Sequence, residues 1–210
     1  KLSIIALLLV LCALVTGVSA QSATVLPGTL TRPSPQGNRT FGANPVIPGE
    51  SPTTGLPVGS HSYMPILVQI DNTPRAMPQW GISKADIIYE MPLSEPGWTR
   101  LTAVFSDVYP DEAGPVRSGR YMHADLREEW DGPIVFYGAQ EDKGSNMREA
   151  LKEYGVNKKN LSIDGHANKY SKDYLVRVKY HYAPSNVSVY VAKLREFIIK
   201  GTKNYSFVPR

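Results

Sequence analysis

The chain has 210 residues, 42% hydrophobic and 20% charged, with 23 Lys and Arg against 19 Asp and Glu for a formal net charge of +4 at pH 7. Its one cysteine excludes a disulfide framework and any multi-cysteine zinc motif. A mildly basic balance with no clustered basic face gives no argument for nucleic acid, and leans towards anionic cell-surface material.

Residues 1–20, KLSIIALLLVLCALVTGVSA, combine a lysine, an apolar core from Leu2 to Val15 and a small-residue end at Val18-Ser19-Ala20, the layout of a secretory signal peptide. Thr16 and Gly17 interrupt the apolar run short of the roughly 20 residues that a membrane span needs, so cleavage after Ala20 is expected. The mature chain is then extracytoplasmic, secreted or attached at the cell surface. Cys12 lies inside the leader with Leu11, not a small residue, before it, and membrane association is expected only if Cys12 is lipidated.

Residues 21–62 are rich in Pro, Gly, Ser and Thr, with Arg32, Arg39 and Glu50 the charged residues. Such a stretch buries too little surface to offset chain entropy and reads as a flexible, disordered linker. Residues 63–210 carry all three tryptophans and suffice for one globular domain. In chain order the patterning predicts strands from Ile66 to Ile70, ended by the Asp71-Asn72-Thr73-Pro74 turn, from Ala85 to Met91 and from Leu101 to Val108. A helix from Arg120 to Trp130, a strand from Ile134 to Tyr137 and a helix through Tyr154, capped by Ser145 and stopped by Gly155, follow. A last helix, from Asn186 to Lys200, is capped by Ser185 and closed by Gly201. The fold class is α/β or α+β: a mixed β-sheet covered by helices in a single domain.

Several segments together identify a resemblance: Pro65-Ile66-Leu67-Val68-Gln69-Ile70-Asp71-Asn72, Pro78-Gln79-Trp80-Gly81, Ala85-Asp86-Ile87-Ile88-Tyr89-Glu90, Thr99-Arg100-Leu101 through Phe105, and Gly114-Pro115-Val116-Arg117-Ser118-Gly119-Arg120. Tyr137-Gly138 and Ala183-Pro184 with Asn186 add shorter matches in the same order. The chain resembles the YerB-like family of bacterial envelope lipoproteins, a domain of unknown function. The resemblance implies an extracytoplasmic protein whose N-terminal domain is this one and whose C-terminal domain is missing here, and it implies no activity. Ser185 stands where the family often has histidine.

Gly114 to Arg120 is the segment richest in chemistry. Two glycines allow close backbone approach, Ser118 is placed to cap the helix that follows, and Arg117 and Arg120 flank its positive end, where phosphate or carboxylate is favoured. The alternative is that both arginines pair with Glu90, Glu95 or Asp107 of the same domain. His123, one turn into the helix, either joins the anion site or is a satisfied surface histidine. Arg100 and Arg177 complete the ligand-binding candidates. Arg177 belongs to the stretch Lys169 to Tyr182, whose interleaved tyrosines and basic residues suit sugar rings, or else form an edge hairpin with Val176 and Val178 inward. His61, His123, His166 and His181 are scattered, so no metal is expected, and no cofactor motif is present.

Two functions remain open. One is a binding module for an anionic cell-wall polymer, a peptidoglycan fragment or an envelope protein. The other is a wall glycan or peptide hydrolase, with Glu90 or Glu95 as acid or base and Arg117 and Arg120 as substrate clamp. Nucleic acid is not expected as a partner of an exported chain.

Overall fold

A computed structural model describes residues 29–32, 39–42, 47–59, 61–93, 97–156, 161–202 and 207. The expected leader with Cys12, and the candidate Glu95, lie outside the described residues. The chain divides into two units, Lys1–Pro45 and Val46–Arg210. Within the first, β1 (Thr29–Arg32) pairs antiparallel with β2 (Arg39–Gly42). Their threonines and Phe41 are strand formers that a count of Pro and Gly overlooks.

The second unit runs β3 (Ile66–Asp71), β4 (Ile87–Pro92), β5 (Thr99–Phe105), α1 (Tyr121–Trp130), β6 (Ile134–Phe136), β7 (Glu141–Asp142), β8 (Ser145–Asn146) and α2 (Met147–Glu153). It continues with β9 (Ser162–Asp164), β10 (Leu175–Arg177), β11 (Val187–Val189) and α3 (Val191–Gly201). Five strands form one sheet in the order β4-β5-β3-β6-β9. The β4, β5 and β3 neighbours are antiparallel, whereas β3, β6 and β9 are parallel, so the sheet is mixed and the fold is α+β.

Each face of the sheet carries its own core. Ile66, Val68 and Ile70 of β3 pack on one side with Val189 of β11 and Leu194 and Ile198 of α3, while Leu67 packs on the other with Ala124 of α1 and Met147, Ala150 and Leu151 of α2. All six residues of β3 are buried, as a strand covered on both faces must be.

The last predicted helix is shorter than expected, because its first residues form a strand. Val187-Ser188-Val189 pairs with β10, and Val189 N–H and C=O exchange hydrogen bonds with Ala113. β-Branched alternation outweighs the helical spacing of the same valines. Asn146 rather than Ser145 caps α2, its side chain accepting from the N–H groups of Arg148 and Glu149. In the basic, tyrosine-rich stretch, residues 169–173 form a 3-10 turn and Leu175, not Val176, is the buried position of β10.

Residues 47–59 belong to the second unit, although their composition resembles the linker. Ser51 Oγ donates to Asp107 at 2.6 Å and Thr54 Oγ1 to the other carboxylate oxygen at 2.7 Å. Ser106 Oγ donates to Thr53 at 2.8 Å. Polar side chains, not apolar burial, hold this segment to the sheet.

Candidate functional site

The parallel strands β3 and β6 are hydrogen-bonded only in their first halves, where Leu67 faces Ile134 and Val68 faces Val135. Beyond that point residues 115–119 are wedged between them. On one side Asp71 N–H donates to Pro115 O at 2.8 Å and Arg117 N–H to Gln69 O at 2.9 Å. On the other, Tyr137 N–H donates to Arg117 O and Gly119 N–H to Gly138 O, both at 3.0 Å. The Gly114–Arg120 segment therefore fills the gap between the carboxyl ends of two parallel strands, the end of an open sheet where ligands commonly bind.

Its glycines serve packing. A Cβ on Gly114 would run into the Trp80 ring, and one on Gly119 into the Met147 thioether. Ser118 does not cap the helix, because its hydroxyl donates to Tyr137 O at 3.3 Å. Arg120 occupies the N-cap position, and its N–H donates to Nδ1 of His123 at 2.8 Å, while His123 N–H returns to Arg120 O at 3.0 Å. His123 does for this helix what Glu or Gln does in a capping box.

Asp71 is the hub of the charges. Its side chain is 1% exposed, with Oδ2 at 3.1 Å from Nε of Arg117 and Oδ1 at 3.8 Å from Arg100. Ser185 donates to Oδ2 at 2.7 Å, and Thr73 N–H reaches Oδ1 at 3.3 Å in the predicted Asx turn. For Arg117 the partner is thus Asp71. Arg100 is buried with Asp71, whereas the Arg117 side chain remains 30% exposed.

His123 is fully buried, not a surface residue. Burial, then the positive charges of Arg100 and Arg120, push its imidazole down to about 3, so it is neutral at any ordinary pH. With Nδ1 accepting from Arg120, the proton sits on Nε2, which is buried and has no hydrogen-bond partner among the described residues. Gln69, on the same sheet face one pleat below Asp71, accepts from Thr102 at 2.9 Å and also leaves its buried Nε2 without a partner.

On the β6 side of the inserted segment, Tyr137 gathers two further groups. The Arg177 guanidinium lies 5.2 Å over its ring and donates to Asn186 at 2.6 Å, and the His166 ring stands edge-on at 4.5 Å. Asp164, at the end of β9, accepts from Gly138 N–H, His166 N–H and the Arg148 guanidinium, which also pairs with Glu141. Asp71 thus lies between Arg100 and Arg117, His123 feels the charges of Arg100 and Arg120, Ser118 bonds Tyr137 O, and Arg177 lies over the Tyr137 ring.

Glu90 is elsewhere. It pairs with Leu101 across β4 and β5, so its side chain lies on the face opposite Arg100, where it accepts from Thr99 at 2.6 Å and Asn72 at 3.0 Å. Among the described residues no group of three or more His, Cys, Asp or Glu is placed to hold a metal ion.

Sequence reasoning missed the pairing role of Asp71 and the contributions of Gln69, Ser185 and Asp164. A polar residue at the end of an otherwise apolar strand was the available signal, since β3 reads ILVQID and every position is buried. The Ser185 and Asp164 contacts depend on loop geometry that spacing does not encode.

A curated Bacillus subtilis (strain 168) protein named "Putative lipoprotein YerB" is 34% identical over 107 residues, covering 50% of this chain and 32% of its own. The crystal structure of the YerB protein from Bacillus subtilis superposes with a TM-score of 0.61 at 28% identity, over 77% of this chain and 52% of that one. The chain thus spans about half the length of the solved relative and a third of the curated one. Residues 53–205 match the family described as "Protein of unknown function (DUF3048) N-terminal domain", and the chain belongs to that family.

Proposed function

We propose that this domain is an extracytoplasmic binding module of the cell envelope, whose ligand is an anionic wall component or envelope protein seated at Arg117, Ser118 and Arg120. The observation that carries the reading is His123: a neutral, buried imidazole at a helix start, beside two guanidinium groups, with an N–H that finds no acceptor in the described protein. Those two guanidinium groups, of Arg100 and Arg120, add their charge to the positive end of the helix, where an anion is favoured. The leader-like residues 1–20 and the relative's lipoprotein name support the envelope setting. The hydrolase alternative needs an acid beside the arginines, and Glu90 lies on the sheet face opposite Arg100 and Asp71.

Pull-down of purified wall fragments, with turnover followed in the same tube, tests the reading. Retention that weakens with salt and is reduced about tenfold by Arg120→Ala is expected, because a charge-assisted hydrogen bond contributes roughly 1.5–3 kcal/mol. Retention indifferent to Arg120→Ala, or cleavage of the fragments, overturns it.

A further inference from the structure

We infer that the tip of the β10–β11 hairpin, residues 179–184, is a glycan-binding platform that stacks uncharged sugar rings on Tyr180 and Tyr182. The inference is independent of the arginines and goes beyond the anion reading.

The tip reads Lys179-Tyr180-His181-Tyr182-Ala183-Pro184, aromatic and polar with no Leu, Ile, Val or Met. Tyr182 is 90% exposed and Tyr180 63%. Single exposed apolar residues are ordinary on a protein surface, but these two are the outer members of an aromatic cluster. Tyr180 meets Trp80 edge-on with ring centroids 5.5 Å apart, and the His181 ring lies 5.4 Å from the same indole. Trp80 is itself fixed from below, because its Nε1 donates to Ser188 of β11 at 2.9 Å and its ring lies against Gly114, where a Cβ would collide with it.

The tip is pinned at both ends. Val178 N–H donates to Asn186 O at 2.8 Å, Asn186 Nδ2 to Val178 O at 3.3 Å, and Arg177 to Asn186 Oδ1 at 2.6 Å. Ser185 ties the returning chain to Asp71 at 2.7 Å, which sets the tip at the carboxyl end of β3. The Tyr180 hydroxyl donates to Glu112 at 2.9 Å, while His181 is held by ring contact, its buried Nδ1 having no hydrogen-bond partner among the described residues. Tyr182 has neither a hydrogen bond nor a ring contact among the described residues. Its ring adds nothing to the fold and faces solvent from a backbone that is held in place.

A tyrosine on such a backbone offers a large, flat, half-polar surface with few rotatable bonds, so ordering it on binding costs little. The matching ligand has a flat apolar face and a polar rim. A pyranose ring with equatorial hydroxyls carries C–H groups on its faces and hydroxyls round its edge, so the face stacks on the aromatic ring while the rim keeps its hydrogen bonds. Glu112 supplies a rim partner: its Oε2 takes Tyr180, and its Oε1 has no partner among the described residues. A stable protein interface takes about 20–30 residues a side, far more than this short tip offers, whereas one sugar ring is matched in size by one tyrosine.

The probe is chitotetraose, an uncharged oligomer of N-acetylglucosamine, titrated into the full chain and followed by NMR. Sugar C–H protons seated over an aromatic face move upfield through the ring current, a signature that a purely polar contact does not leave. Tyr182→Ala should weaken binding about tenfold and diminish the upfield shift, with the melting temperature unchanged because the side chain is exposed. Tyr182→Phe should bind like the parent, since the ring and not the hydroxyl makes the contact. The probe carries no charge, so added salt should not change its binding, and a failure here leaves the anion reading untouched. Sugar protons unmoved at millimolar chitotetraose, the result expected of a tip that docks protein instead, overturn the inference. Binding that is equal in the parent and in Tyr182→Ala overturns it as well.

Discussion

Asp71 and His123 carry opposite kinds of dependence on their surroundings. Asp71 neutralises buried positive charge, so Asp71→Asn should cost about 3–5 kcal/mol in denaturant unfolding by removing the carboxylate that faces both Arg100 and Arg117, whereas an Asn substitution at exposed Glu90 should cost under about 1 kcal/mol. His123 makes the protein sensitive to acid. Its folded value, about 3, is below the ordinary 6.5, so the unfolded chain takes up a proton that the folded chain refuses. Stability from this group is present above pH 6.5 and is lost as pH falls towards 3, at up to about 1.4 kcal/mol per pH unit. Unfolding free energies measured at pH 6.5 and 5 should thus differ by about 2 kcal/mol more in the parent than in His123→Gln. Equal pH dependence in the two would show that the imidazole is not held neutral. At this scale the sequence revealed that arginines gather near a helix start, because they are adjacent in the chain. It did not reveal Asp71 or Ser185 as their partners, since those come from a strand end and a loop 46 residues before and 68 after Arg117 in the numbering.

Strands and helices were legible where a short apolar run or a helical start admits one reading, as in β3, β5 and α1, and illegible where one segment suits two. The valines at 187 and 191 fit a helical face, yet Val187 and Val189 also fit a strand, and the choice was made by β10 and Ala113, far away in the chain. Gly119 is a related case. Freedom of approach was readable from sequence, but what approaches is the Met147 side chain of α2, not a ligand. Gly119→Ala should consequently destabilise the domain by about 1–3 kcal/mol through overpacking. Adding Met147→Ala should restore part of that loss, relative to Met147→Ala alone, because it vacates the space that the new methyl needs. Additive losses in urea unfolding would place the strain somewhere other than this contact.

The extent of the folded unit follows from polar contacts that composition conceals. Residues 47–59 have too few large apolar side chains to predict a place in the core, yet Ser51 is 4% exposed and its hydroxyl, with that of Thr54, satisfies the Asp107 carboxylate. Asp86 is bound to the same corner of the sheet, accepting from Ser106 N–H at 2.6 Å and Asp107 N–H at 3.0 Å, so the segment closes a network of two adjacent carboxylates. A chain beginning at residue 63 would leave Asp107 without two of its donors and open Ser106 to water. One beginning at residue 46 would retain both. Hydrogen bonds to a charged group contribute roughly 1.5–3 kcal/mol each, and partial exposure of Asp107 reduces that figure. The longer chain should therefore be more stable than the shorter by about 2–4 kcal/mol. Asp107→Ala in the longer chain should recover much of the same loss and open protease sites between residues 47 and 59, because the segment then has no carboxylate to hold it. Equal stability of the two truncated chains would mean that these contacts decorate the fold without supporting it.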